Sequence, residues 1–274
     1  MLRISDKLCK GEKIGIIALL AALLCLILAP ALVPLPSFVF LFLCFVAPFF
    51  PGTSFFLPII SRAQAGTEGI VLTFDDGPSP AVMPILLELL AHYRLPATFF
   101  VIGKKAAAHP ELIQQILAAG HSIGNHSWEH DYFLMLRTAR KIQEDLHTTQ
   151  EVLAGYGVRP LLFRPPVGIT GPRLQKVLEQ ENLCAVNYSC RALDRGNRNI
   201  AGLSEKIINK LHPGDIIMLH DLPAFQEEDR ELLYREFERL FKWLAEKHRV
   251  IPMAEALQAP VMLQEKARSP SGVC

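Results

Sequence analysis

The sequence predicts an α/β protein built on a mostly parallel sheet, and three observations lead there. Short apolar runs with strand character alternate with longer amphipathic stretches between residues 70 and 251. Chemically capable groups, Asp75, Asp76, His126, Arg164 and His220, stand at or just after the ends of several of those runs. In parallel α/β folds the reacting groups collect at the carboxyl ends of the strands. About two hundred residues follow Arg62, enough for one domain with a sizeable core. Periodicity alone leaves both an open doubly wound sheet and a closed barrel standing.

Taken in order, the chain opens on a membrane-type segment. No charged residue occurs between Lys13 and Arg62. Ile14 to Val33 is long enough to cross a hydrocarbon core of about 30 Å at about 1.5 Å per residue. Arg3, Lys7, Lys10 and Lys13 precede it, which places the N-terminus in the cytoplasm by the positive-inside rule. Leu35 to Ile60 is equally apolar but carries Pro48, Pro51 and Pro58, with Pro34 and Pro36 forming a turn before it. One span puts the following domain outside the cytoplasmic membrane; a two-helix hairpin, towards which the reading leans, leaves it facing the cytoplasm. Ala63-Gln64-Ala65 mimics a signal-peptidase site, but it lies far beyond the usual 15–30 residues of a signal peptide.

Strands are expected at Ile70–Phe74, Ala97–Ile102, Ser122–Gly124, Leu161–Phe163, Cys184–Tyr188, Asp215–Leu219 and Val250–Ile251. Helices are expected at Pro80–Tyr93, Lys105–Ala119, Leu134–Gly155, Gly171–Glu181, Gly202–Leu211 and Asp229–Lys247, with Gly120 and Gly155 as C-terminal stops. Residues 1–61 then read as the membrane anchor, 69–257 as the catalytic domain and 258–274 as a polar tail without periodicity. The formal net charge of +1 and the lack of a basic stripe exclude an electrostatic case for nucleic acid. The cysteines form neither a disulfide framework nor a Cys-x-x-Cys metal knuckle.

Two segments carry the chemistry. Thr73–Pro78 reads Thr-Phe-Asp-Asp-Gly-Pro and supplies two carboxylates; alone it would pass for a turn capping a helix. The strand before it would instead deliver both carboxylates to one mouth of the sheet, where their repulsion calls for a cation. His126 and His130, in His-Ser-Trp-Glu-His, are four positions apart, the spacing of one face of a helical turn. Two histidines and one carboxylate leave Zn²⁺ an open position for water, and the other carboxylate is free to take a proton from that water. Arg164, followed by Pro165 and Pro166, is held on a stiff backbone suited to a forked contact with a carboxylate.

These segments, with Arg164-Pro165-Pro166-Val167-Gly168 and Met218-Leu219-His220, resemble in order and spacing the motifs of the polysaccharide deacetylase family, the NodB-homology or carbohydrate esterase family 4 proteins. The resemblance covers about Gly69 to Leu257. It implies a distorted, incomplete (β/α) barrel, preceded here by one or two transmembrane helices. It implies Asp76, His126 and His130 as ligands of a divalent metal, Zn²⁺ first with Co²⁺, Ni²⁺ or Mn²⁺ as alternatives, and Asp75 as general base. Arg164 would orient Asp75, the backbone N–H of Val167 would stabilise the oxyanion, and His220 would be the general acid, held by Asp194. Met218 and Leu219 would floor a small acyl pocket.

Three departures stand out. Val167 replaces the common tyrosine, which keeps a backbone donor and loses a ring. Asp194-Arg195 replaces Asp-Trp, and Arg191 occupies a position that is often acidic. These arginines, with Arg198, are suited to a phosphate. The expected function is metal-dependent removal of an N-acetyl or other small acyl group, formyl included, from an amino sugar in a glycan or glycolipid. The expected partners are that N-acylated glycan or glycolipid and the bacterial cytoplasmic membrane. An undecaprenyl-phosphate-linked sugar at the cytoplasmic face is the alternative substrate. An inactive membrane-anchored glycan-binding protein is the alternative of another class. The Gln226–Lys247 stretch reads as a solvated amphipathic helix, Trp128 as packing, and Glu129 as a group able to support the ligands.

Overall fold

The computed structural model describes residues 8–50, 52–224 and 226–265. Arg3 and Lys7 of the basic flank, and residues 266–274 of the tail, lie outside them. Helix α1 (Lys10–Leu28) opens on a reciprocal cap in which Cys9 Sγ accepts the Glu12 N–H and the Glu12 carboxylate accepts the Cys9 N–H. At about 1.5 Å per residue it is about 28 Å long, and its leucines and all its isoleucines but Ile14 are exposed. It alone, among the described residues, is long and apolar enough to cross a membrane. After a short turn, α2 (Pro34–Val46) packs back along it; a side chain at Gly15 would meet the Phe40 ring at 3.0 Å. The chain then returns to where α1 began, the Gly11 N–H donating to Phe55 O at 2.8 Å and Lys10 Nζ to Thr53 O at 2.9 Å.

Seven strands form one parallel sheet: β1 (Val71–Gly77), β2 (Thr98–Val101), β3 (Ser122–Asn125), β5 (Leu162–Phe163), β6 (Cys184–Ala185), β7 (Cys190–Arg191) and β8 (Ile216–His220). Their order is β6-β5-β3-β2-β1-β8-β7. Strands β6 and β7 are therefore at opposite edges, although only residues 186–189 separate them in the chain. The five residue steps from Ala185 to Cys190 span at most about 18 Å, so the sheet must curl to bring its two edges towards each other. The seam is strapped from outside: the Ile60 N–H donates to Ala185 O and its carbonyl accepts from Asn187 N, while the Ala63 N–H donates to Gly214 O. The result is the curled, unclosed barrel implied by the motifs.

Helices α3 (Met83–Tyr93), α4 (Gly103–Ala108), α5 (Pro110–Ala118), α6 (Ala139–Gly155), α7 (Leu174–Gln180), α8 (Leu203–Ile208) and α9 (Arg230–Lys247) connect the strands or cover the sheet, and α10 (Met253–Leu257) follows. The helix expected over 105–119 is broken at His109, since Pro110 lacks an N–H and disfavours a helical residue before it. The helix expected from Leu134 begins at Ala139, where Thr138 Oγ1 caps the Lys141 N–H at 3.3 Å; Leu134–Leu136 is a separate 3₁₀ turn. Gly120 supplies a left-handed stop, φ 80°, but Gly155 is still helical and the turn comes at Gly157, φ 86°. Val250 makes only an isolated bridge to Ile70.

Between β1 and the helices, Phe74 stacks on Phe99 at 5.0 Å and meets Phe237 and Phe241 edge-on, so α9 buries one face against the sheet. The tail reading needs correction. Met262–Gln264 forms β9, antiparallel to β4 (Val158–Pro160), and the Glu265 carboxylate holds Arg159 Nε at 2.8 Å.

Candidate active site and metal centre

Register explains the centre of the site. Asp75 on β1 and His220 on β8 are direct neighbours across the parallel pair, at the carboxyl ends of both strands. Each strand delivers its last side chains to one mouth, and a single cavity of about 790 Å³ is lined there by Asp75, Asp76, His126, His130, Asp194 and His220.

Asp76 has φ 69°, a left-handed conformation that aspartate tolerates and that turns its carboxylate towards the histidines. His126 and His130 are not on a helix. Both lie in the loop after β3, where Ser127 and His130 have φ of 70° and 58°, and Asn125 Oδ1 and Ser127 Oγ accept the N–H groups of Ser127 and His130. Side chains held by such a turn converge without helical periodicity. His126 Nε2 lies 3.2 Å and His130 Nε2 3.0 Å from Asp76 Oδ1.

This trio fits a metal ion. His126 Nδ1–H donates to Arg164 O at 2.7 Å, so its Nε2 presents a lone pair. Asp76 Oδ1 is buried and receives no hydrogen bond. The three ligand atoms lie within 4.8 Å of one another. A cation among them satisfies a buried oxygen and an imidazole lone pair that otherwise face each other. Burial alone would push the Asp76 carboxyl up, but positive charge on the facing imidazoles, the kind of charge a bound cation would bring in their place, outweighs burial and holds it well below the ordinary carboxylate range.

Arg164 is 1 % exposed and bonds Asp75 Oδ1 through Nη1 at 2.6 Å. Nη1 also reaches Thr73 Oγ1 at 2.8 Å and Nη2 reaches Asn187 O at 3.0 Å. Its guanidinium lies 4.0 Å from the Phe100 ring centroid and 5.9 Å from that of Tyr188. Gly124 makes this possible, since any side chain there would collide with Phe100.

His220 Nδ1 bonds Asp194 Oδ2 at 2.7 Å. Burial by itself would lower the imidazole's pKa; the Asp194 carboxylate, reinforced by Asp76 and Asp75, outweighs it and holds the group above its ordinary value. Asp194 also accepts the Asn197 N–H, and the Asn197 side chain ties the loop to the His220 and Leu222 carbonyls.

Val167 lines the cavity with φ 51° and ψ 14°, a conformation rare for a β-branched residue. Met218 lines the cavity but Leu219 does not. Alternation along β8 sends Leu219 into the core against Phe74's layer, and the aliphatic lining comes from Val167, Leu193, Met218 and Leu222. Glu129 pairs with Lys104 at 2.9 Å, away from the ligands. Outside the site, His147 pairs with Glu181 at 3.0 Å.

Three residues escape the sequence reading. Tyr188 lines the cavity and packs on Arg164. Lys105 Nζ donates to the Asp76 backbone carbonyl at 2.7 Å. Asp221, fully buried, clamps the carboxylate turn by donating its N–H to Asp75 O at 2.8 Å and accepting the Ser79 N–H at 3.1 Å. Its adjacency to His220 was the available signal.

Burial pushes the Asp221 carboxyl up to about 7. A raised folded-state value means that the protonated form's stabilisation is complete below the unfolded carboxyl value of about 3.9 and is lost as pH rises through about 7. Asp221→Asn keeps the acceptor and does not titrate. It is expected to stabilise the chain at pH 8 by on the order of 2–4 kcal/mol and by little at pH 4. Thermal melts at the two pH values check this; equal shifts at both would refute it.

Comparison with known proteins completes the description. A family model described as polysaccharide deacetylase matches residues 62–186. The chain is 34 % identical over 154 residues to a peptidoglycan-N-acetylglucosamine deacetylase of Bacillus cereus, covering 56 % of this chain and 72 % of that protein. It is 34 % identical over 169 residues to a chitooligosaccharide deacetylase of Sinorhizobium fredii, covering 61 % and 78 %. The crystal structure of the Bc1960 peptidoglycan N-acetylglucosamine deacetylase superposes with a TM-score of 0.66 at 25 % identity, covering 74 % of this chain and 94 % of that one.

Proposed function

The chain belongs to the polysaccharide deacetylase family, and from that premise we propose that it is a metal-dependent hydrolase that removes an N-acetyl or other small acyl group from an amino sugar in a glycan or glycolipid. The observation carrying the reading is the convergence of Asp76, His126 and His130 with Asp75 and His220 on one cavity. Asp76, His126 and His130 would hold a divalent cation, Zn²⁺ by donor type, which when bound would supply a Lewis acid for the acyl oxygen and for water.

The protein groups do the rest. Asp75, oriented by its ion pair with Arg164, takes the proton of the attacking water. The water oxygen bonds to the acyl carbon, and the backbone N–H of Val167 faces the oxygen that gains charge. His220, whose imidazolium form the Asp194 carboxylate favours, gives its proton to the amide nitrogen as the carbon–nitrogen bond breaks. The products are the free amino sugar and a carboxylic acid. Met218 forms part of the wall against which the acyl group rests.

Release of acetate or formate from N-acetylglucosamine oligomers, peptidoglycan and undecaprenyl-phosphate amino sugars, with Zn²⁺ and with chelator, tests this. Metal-dependent release from one class is expected. No release from any of them, with metal bound stoichiometrically, would refute the reading.

One observation favours the lipid-linked substrate. Arg191, Arg195 and Arg198 line the cavity beside the catalytic groups, with Arg191 Nη1 on Tyr188 Oη at 2.9 Å. Replacing Arg191 and Arg195 with Ala is expected to raise KM for a phospholipid-linked sugar about tenfold, the effect of about 1.4 kcal/mol of charge-assisted hydrogen bonding. KM for a neutral oligosaccharide should stay put; unchanged kinetics on both would count against a phosphate contact.

A further inference from the structure

The turn after the ligand loop is built in two halves. Asp131 Oδ1 accepts the Phe133 N–H at 2.8 Å and Oδ2 holds Arg137 Nε at 2.9 Å, closing the segment on itself. Leu134 and Met135 point inward and are 3 % and 7 % exposed, whereas Tyr132, Phe133 and Leu136 point outward at 60 %, 63 % and 77 %. Tyr132 also lines the cavity, edge-on to His130 at 5.1 Å. Across the mouth, Leu193 is 52 % exposed. Large apolar groups gathered at the rim of a polar cavity mark a contact surface.

The inward half indicates what the rim touches. Leu134 and Met135 belong to the same buried cluster as Leu57, against which Phe56 and Ile59 also pack. Those residues are the root of the apolar helix pair, and Phe55 is bonded to Gly11 at the start of α1. The place where the backbone leaves the apolar helices is thus joined through one cluster to the turn bearing Phe133 and Leu136. Arg191 and Arg195 at the mouth supply the charge that complements anionic headgroups.

We propose that the turn Tyr132–Leu136 is a bilayer-contacting wedge. Phe133 and Leu136 enter the boundary between headgroups and acyl chains, to a depth of about 5–10 Å, and seat the cavity mouth on the phospholipid surface. The site then draws amino sugars presented at that surface. The proposal rests on reading α1 and α2 as a membrane anchor.

The test uses the full chain reconstituted in vesicles of zwitterionic and anionic phospholipid, some brominated near the top of the acyl chains. Phe133→Trp and Leu136→Trp are compared with Lys242→Trp on the exposed side of α9, after subtracting the unsubstituted chain, whose Trp128 and Trp243 also emit. The first two should shift to shorter wavelength and lose most of the added emission to bromine; the third should do neither. Equal, weak quenching of all three in a chain that floats with the vesicles overturns the wedge and leaves the anchor standing. A chain stripped from vesicles by alkaline wash overturns both. None of these outcomes depends on turnover, so the deacylase reading is judged separately.

Discussion

Asp75→Asn is expected to lower kcat by about a thousandfold, within the range of about 10²–10⁴ that a positioned general base contributes, while bound metal stays stoichiometric. The geometry gives the reason. Asp75 is not among the three ligand atoms, which come from Asp76, His126 and His130, and its carboxylate is committed to Arg164 at 2.6 Å. Asparagine preserves the shape and the contact to Nη1 but cannot accept a proton at neutral pH. Metal content by elemental analysis, beside kcat and KM on the substrate identified by acyl release, separates the roles. Loss of metal together with activity would place Asp75 among the ligands; an unchanged kcat would remove it from the reaction.

Arg164→Met carries the largest expected cost to stability. Its guanidinium is enclosed by Phe100, Tyr188, Thr73 and the Asn187 carbonyl, and its ion-pair partner Asp75 is itself 4 % exposed. Removing one member of such a pair leaves a buried charge uncompensated, at about 3–5 kcal/mol. Adding Asp75→Asn removes that charge, so the double variant should recover much of the loss in melting temperature while remaining inactive. A double variant no more stable than Arg164→Met alone would mean that aromatic packing, not the ion pair, sets the cost.

Part of this arrangement is legible in the sequence because Asp75, Asp76 and His220 stand near the ends of strands long enough to show themselves. The strands Val71–Gly77 and Ile216–His220 open on mostly apolar runs, Val71–Phe74 and Ile216–Leu219, and the reactive residues follow those runs at once. What stayed hidden is shorter than any period. Cys190–Arg191 is a two-residue strand on the far edge of the sheet from Cys184–Ala185, and nothing local tells the one from the other. The His126–His130 spacing looked helical, yet left-handed turn residues accomplish the same convergence. The motif names Met218 and Leu219 as neighbours in sequence, but a strand sends neighbours to opposite faces, so only Met218 reaches the pocket. Tyr188 and Asp221 act through contacts with Arg164 and Ser79, which lie far off in the chain.

The pairing of β9 with β4 has a practical side. Reporter fusions are the usual way to learn on which side of a membrane a domain lies, and a chain ending in a polar stretch invites a junction just past the last apparent helix, near Leu257. Such a junction would delete Val261, whose carbonyl accepts the Leu161 N–H, and the strand Met262–Gln264, leaving Arg159 without Glu265 and the rim of the barrel bare beside β5. The reporter would then answer for a damaged fold. Junctions placed after Glu265 keep the domain whole, so that the signal reads orientation alone.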